Sequence, residues 1–270
     1  MKLSALSVAL LLIAGPTLAI ADDLDDSLAA LKAAESSKDP VKIKDLAAKA
    51  HATALKWQAP PPADVADKEA YQARADYAKD VDEYSEYALF ALAIQSAPGT
   101  GLDLINTLEK QNPKSKYLEQ PRVLMILADN AYSHKQMDRA MNLSTRLIAV
   151  NSRKAPEGIS EADWEKTRSA AVGMGYWISG VIHGEKNQYK DADKDLRAAL
   201  PLIKGNNAMM APALFYLGVA NYNLGRLLLN KAKMLEGAKF SQECAAIPSA
   251  YQTQAYSNAA QIQREASQIR

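Results

Sequence analysis

Apolar residues return three or four positions apart through successive stretches of the chain, and most stretches are closed by Pro, Gly or Asn. That spacing is one face of an α-helix. Leu24, Leu28 and Leu31 predict a short first helix over about 23–35. Asp39 before Pro40 predicts a second start, an N-cap acceptor followed by the one residue whose missing N–H costs nothing at that place. Val41, Ile43, Leu46, Ala50, Ala54 and Trp57 supply its apolar face up to Ala59-Pro60-Pro61-Pro62. Three prolines favour a stiff, extended connection, so residues 22–62 are expected to form an N-terminal hairpin and a Pro-rich connection. Residues 64–96 are polar first and apolar later, predicting a long helix buried in its second half, with Tyr71, Tyr77, Tyr84 and Tyr87 on its stripe.

After the Ala97-Pro98-Gly99 break come a helix over 101–111, stopped at Asn112-Pro113, and a pair over 121–136 and 137–151. Ser160 and Asp163 cap a helix expected to run through Trp177 to His183. Its partner, over 189–203, is followed by a further pair broken near Leu224-Gly225. Ser249 opens a last helix over 249–270, in which Ala255, Ala259, Ile262, Ala266 and Ile269 form one narrow stripe. Such a stripe suits a helix that caps the end of a stack; a homodimer through 249–270 is the other use it could have.

Composition agrees with helix. Only 7% of residues are aromatic and 12 of 270 are Gly, while Ala, Leu, Lys, Glu and Gln, which lose little rotamer freedom in a helix, abound. At the start, Lys2, the apolar run from Ala5 to Ala14, Gly15-Pro16 and Ala19-Ile20-Ala21 have the order of a signal peptide cleaved after Ala21, which predicts a periplasmic or secreted protein. No later stretch predicts a membrane span. Removing Lys2 leaves 31 basic against 31 acidic side chains, and that balance argues against nucleic acid or an anionic membrane as a partner. Cys244, the one cysteine, has nothing to pair with in its own chain and reads as a small buried hydrophobe.

The stretch 173–204 carries an internal period. Counting Gly173 as the first place of a unit of about 34 residues puts Gly180, Tyr189, Ala192 and Ala199 at recurrent places. The frame begun at Pro121 gives Ala128, Met137, Ala140 and Leu147; begun at Ala211 it gives Gly218 and Gly225; begun at Asp82 it gives Leu89, Gly101 and Leu108. Small residues there allow two antiparallel helices to approach near the short end of the usual range of about 8–10 Å. Tyr189 and Leu196 are expected to fill the core between them. These hairpins resemble tetratricopeptide repeats. The resemblance implies an all-α fold of stacked antiparallel hairpins, a right-handed α-solenoid over 63–248 with 249–270 as its cap. Pro121 and Gly173 lie 52 positions apart, off the strict period, which predicts an elongated helix around Trp164 or a break in the superhelix.

Motifs for chemistry are scarce. His51, His134 and His183 lack metal-ligand spacing, and no phosphate loop, nucleophile elbow or zinc signature is present. The run 190–195, KDADKD, reads as a solvated helix face, and Asn142 falls in a sequon inside a helix. The chain is therefore expected to be neither an enzyme nor a holder of a cofactor or metal. The resemblance further implies that the first helices of successive hairpins line a concave groove for a peptide or protein partner. Its inward positions fall on Arg122, Met125, Asp129, Tyr132, Trp177, Glu185, Phe215, Tyr222 and Asn223. The expected role is a scaffold or adaptor of the cell envelope. The rival readings are a structural subunit using its convex face or last helix, and an enzyme on a helical array using His183 or Glu185.

Overall fold

A computed structural model describes residues 23–61 and 67–269. The expected leader with its cleavage site, and Pro62, lie outside the described residues. Among those described, eleven α-helices and two 3-10 turns occur, with no strand. The protein is all-α. It divides into two compact units, one up to Ala88 and one from Leu89.

In the first unit, α1 (Asp23–Glu35) packs on α2 (Pro40–Gln58). Asp39 caps α2 as its sequence predicts, its carboxylate accepting the amides of Val41 and Lys42. The third member is α3 (Lys68–Ala93) as far as Ala88. Polar pairs tie it to the hairpin: Arg74 to Asp25 at 3.0 Å, the Tyr84 hydroxyl donating to Glu35 at 2.6 Å, and His51 Nδ1 2.6 Å from Asp82. The sequence reading ends this module at residue 62, whereas the packing carries it through α3. The apolar face of an isolated two-helix hairpin needs a third helix to cover it.

The second unit contains α4 (Pro98–Gln111), α5 (Pro121–Ser133), α6 (Met137–Ala149), α7 (Glu161–Glu185), α8 (Tyr189–Ala199), α9 (Asn207–Leu227), α10 (Lys231–Ala245) and α11 (Gln252–Gln268). Three hairpins, α5–α6, α7–α8 and α9–α10, share one link of three residues: His134-Lys135-Gln136, Lys186-Asn187-Gln188 and Leu228-Leu229-Asn230. In each the middle residue is left-handed, at φ 58°, 58° and 50°. In each the last residue's amide reaches back to a carbonyl of the preceding helix: Gln136 to Ala131, Gln188 to His183, Asn230 to Gly225. This is the helix-ending turn in which orphan carbonyls find donors. It replaces the expected break at Leu224-Gly225, since α9 continues to Leu227.

A link this short holds the two helices close, and small side chains permit it. A Cβ on Gly180 of α7 would lie 2.6 Å from Leu196 Cγ of α8 and 3.0 Å from the Leu196 amide nitrogen. In α9–α10 the backbones meet directly: a Cβ on Gly237 would lie 2.8 Å from both the Gly218 oxygen and the Tyr222 nitrogen, and one on Gly218 would strike Ser241. Ala128, Ala140, Ala192 and Ala199 are completely buried. Tyr189 corrects its expectation. It is half-buried at the start of α8, its hydroxyl donating to Asn187 at 3.0 Å, and Leu196 alone fills that core. The 25-residue α7 accounts for the offset between Pro121 and Gly173: it is an elongated helix, running unbroken from Glu161 past Trp164.

Between hairpins, α6 packs on α7, α8 on α9 and α10 on α11, while α7 also touches α5 and α9. The α8–α9–α10 joint is polar. Asn221, with no exposed surface, donates to Asp193 at 2.6 Å and to the Leu217 carbonyl, and it accepts from Arg197, which also binds Asp193 and Glu236 at 2.8 and 2.9 Å. Asp195, in the same helix, is buried on Ser179. The run 190–195 is thus not simply a solvated face: two of its three aspartates turn inward, where donors on neighbouring helices satisfy them. At the end of the chain, Ala255, Ala259, Ile262 and Ala266 are all buried, with α11 lying against α10 and α9. The stripe a dimer seam would need is occupied within the chain.

The Gly218–Gly237 crossing sets a test. Gly237→Ala puts a methyl group where two backbone atoms stand, so it should destabilise the protein by about 2–3 kcal/mol in urea unfolding, although Ala favours helix by about 1 kcal/mol. At Gly99, where a Cβ would meet nothing within 4 Å, the same change should leave stability within about 0.5 kcal/mol of wild type or raise it. Equal effects at both positions would remove the close approach as the cause.

Candidate functional site

The first helices of the hairpins leave a cavity of about 430 Å³ among α4, α5 and α7. Pro98, Gly99 and Leu102 of α4 form one wall, Met125, Ile126, Asp129 and Asn130 of α5 another, and Met174 of α7 closes it. Met125, Ile126 and Asp129 stand one to four positions apart, so one side of α5 presents a flexible thioether and a branched apolar side chain with one carboxylate at the edge. Ser133 and His134 complete the rim; His134 Nδ1 lies 2.9 Å from the Asn130 carbonyl oxygen. Met125 and Asp129, expected at groove positions, are both here. Arg122 is exposed and is not part of the lining.

Beyond that rim, aromatic rings from α5, α7 and α9 meet. Tyr132 stands edge-on to Trp177, centroids 5.2 Å apart, and the Trp177 indole donates to the Met209 carbonyl at 2.9 Å. Trp177 is only 8% exposed. It is a joint between helices, which corrects its expectation as a groove contact: an indole needs one acceptor when buried, and the start of α9 supplies it. On α9 the ring that reaches this cluster is Tyr216, packed on the bare backbone of Gly184. Phe215 packs behind it, edge-on to Tyr216 at 5.3 Å and against Tyr251 at 4.9 Å, and reaches the core around Leu214, Cys244 and Ala255. Tyr222 lies against the Met234–Ile262 core, and its hydroxyl donates to Glu265 at 2.6 Å. These two residues, seven apart and so on one helix face, serve the α10 and α11 side. Asn223 is half-buried and donates to the Val219 carbonyl of its own helix. The residue of α9 that meets α7 is thus Tyr216 and not Phe215, and the signal for it in the sequence is the small Gly184, which leaves room for a ring from the next hairpin.

The cluster is also electrostatically connected. Burial first, then the Glu185 carboxylate and the neighbouring phenols, push the Tyr132 phenol above its ordinary range. Burial, with Tyr251 and Glu185 nearby, pushes Tyr216 up to about 12. Tyr216 and Tyr251 share a hydrogen bond. Three phenols and a carboxylate therefore gather on one side of the rim, with the Lys135 ammonium 5.4 Å over the Tyr132 ring. Such a group offers flat apolar faces with donors and acceptors at their edges.

His183 lies near an acid that spacing alone does not reveal. Across the α7–α8 hairpin, Ser179 donates to Asp195 at 2.6 Å, and His183 Nδ1 is 3.4 Å from the same oxygen, buried and without a hydrogen bond. The serine hydroxyl is held by the carboxylate, not by the imidazole as a nucleophile would be. Asn142 and the run 190–195 lie on α6 and α8, and among the described residues no group of three His, Cys, Asp or Glu is placed to hold a metal. Cys244 is fully buried, donating to the Ala211 carbonyl at 3.2 Å, and burial pushes its thiol up to about 11.

Raised phenol and thiol values link this region to alkaline stability. Each group keeps its proton more tightly when folded, so its contribution is intact below the unfolded value and lost as pH rises through the folded one. For Cys244 and Tyr216 that window runs from 9.0 to about 11 and from 10.0 to about 12. Phenolate absorbance at 295 nm, followed together with far-ultraviolet circular dichroism, should show a tyrosine fraction that ionises only as helix is lost in this range. Full ionisation of every phenol with helix intact would contradict the burial of the cluster. In comparison with known proteins, no family model, curated protein or solved structure matches the chain.

Proposed function

We propose that residues 89–270 form a tetratricopeptide-like, right-handed array of hairpins and that the protein is a non-catalytic scaffold or adaptor. It binds a peptide or protein segment on the face made by α4, α5, α7 and α9. The three identical links and the sequential packing of α5 through α11 support the architecture. The observation that carries the binding role is the apolar cavity bordered by Asp129 and followed by the Tyr132, Tyr216 and Tyr251 cluster. An apolar pocket with a few polar groups at its edge is what an anchoring side chain needs, and flat phenols beside it hold the chain on either side of the anchor. Among the described residues no helix is long and apolar enough to cross a membrane. The leader would place this activity in the periplasm or outside the cell.

Selection from a peptide-display library against the full chain tests the reading. Enriched peptides should share one large apolar residue, and Met125→Arg, which fills the cavity from a half-buried position, should weaken them by about tenfold or more while leaving the melting temperature unchanged. Peptides that bind this variant as tightly as wild type would show that the cavity is not the site.

A further inference from the structure

The α9–α10 link departs from its two counterparts in chemistry while matching them in backbone. Where the other turns carry His134-Lys135 and Lys186-Asn187, this one carries Leu228-Leu229, and the helix before it ends in Leu227. The three leucines are 75%, 66% and 77% exposed. Leu229 holds the left-handed conformation at φ 50°, which suits Asn or Gly better than a branched apolar side chain. From 226 to 235 the sequence has Arg226, Lys231 and Lys233 and no acid. The acids that approach these cations come from elsewhere: Glu265 is 3.9 Å from Arg226, and Asp193 is 3.5 Å from Lys233. Both contacts are long; the Arg226 side chain remains 59% exposed and Lys231 is exposed, whereas Lys233 is turned inward onto Asp193 and only 24% exposed.

We propose that this turn is a membrane-docking tip. Leu227, Leu228 and Leu229 enter the interface of an anionic lipid bilayer, while Arg226 and Lys231 meet its headgroups. A protruding turn has no concavity to hold a small ligand, but its leucines stand out together where a bilayer can take them up at once. The cations select the sign of the surface. A second copy of the chain is the poorer occupant, because a two-fold contact through this turn would set the exposed Arg226 and Lys231 against their own images. Neutral net charge, which argued against a membrane partner in the sequence, averages over the whole chain and hides this local excess. One such tip gives reversible, salt-sensitive attachment.

The test places a nitrobenzoxadiazole group on Leu228→Cys of the full chain; buried Cys244 stays unlabelled. With phosphatidylglycerol vesicles, emission should shift to the blue and become protected from an aqueous quencher, and added salt should reverse the change. Phosphatidylcholine vesicles should give little change. The same probe on Val41→Cys, an exposed apolar side chain of the first unit, should stay water-exposed. In a chain carrying the Leu228 probe, Leu227→Ser with Leu229→Asn should lower the affinity for anionic vesicles by about tenfold or more without lowering the melting temperature. Three results would overturn the proposal: a probe that stays in water on bound vesicles, an equal response to both lipids, or a shift that depends on protein concentration without vesicles.

Discussion

Two antiparallel helices joined by three residues have little freedom in how closely they run. The left-handed middle residue reverses the chain within the width of a helix, and the carbonyl it helps to satisfy fixes where the first helix ends. From there the crossing is a steric matter. Gly180 accommodates Leu196, and Gly218 meets Gly237 backbone to backbone. A hairpin pressed this tightly buries one face of each helix and leaves the others apolar. That residue of apolar surface explains why α6 lies on α7, α8 on α9 and α10 on α11. The narrow stripe of α11 matches the one side it buries, against α10 and α9.

Van der Waals contact sets the spacing but does not by itself fix which residue of one hairpin meets which residue of the next. The polar joint around Asn221 supplies that. Asn221 reaches Asp193 and the Leu217 carbonyl, Arg197 joins Asp193 to Glu236, and Phe240 lies 5.2 Å under the guanidinium. Sliding α9 by one residue would break the buried Asn221 bonds to Asp193 and Arg197 of α8, a cost of about 1–3 kcal/mol. Sliding an apolar contact by the same distance costs less, because leucines and alanines repack. The joint therefore specifies register more than it adds stability.

Most helices, and the caps at Asp39 and Ser160, were legible in the sequence because they depend on neighbours in the chain and act within one turn. Ser249 is not the cap of α11, which begins at Gln252 after Tyr251 with no side-chain cap. The small residues of each crossing were legible too, since a period in Gly and Ala reports close approach wherever it occurs. What lay beyond reach were pairings between elements. Spacing puts His183 and Asp195 on different helices, and only the folded hairpin brings them within 3.4 Å. The aspartates of 190–195 looked solvated for the same reason. Tyr216 and Phe215 are adjacent aromatics on one helix, so periodicity could not say which meets α7. The first unit was drawn short because prolines mark where a helix stops but not which later helix covers the hairpin.

The groove chemistry follows from what packing leaves over. Trp177 sits at the centre of the α5–α7–α9 contact and is consumed by it, its indole bound to Met209 and its face against Tyr132. Because Trp177 fixes the ring beneath it, the Tyr132 phenol is held at the surface without having to fold back onto the core. On α5 about two turns earlier, Met125 and Ile126 have no aromatic partner from α7, where Met174 alone faces them, and a cavity remains. Large rings thus close the face at one end and flexible thioethers leave it open at the other. If a segment binds as proposed, that asymmetry gives it a direction: its apolar anchor would lie over Met125, and the chain leaving the anchor would run past Tyr132 toward Glu185 and Tyr216.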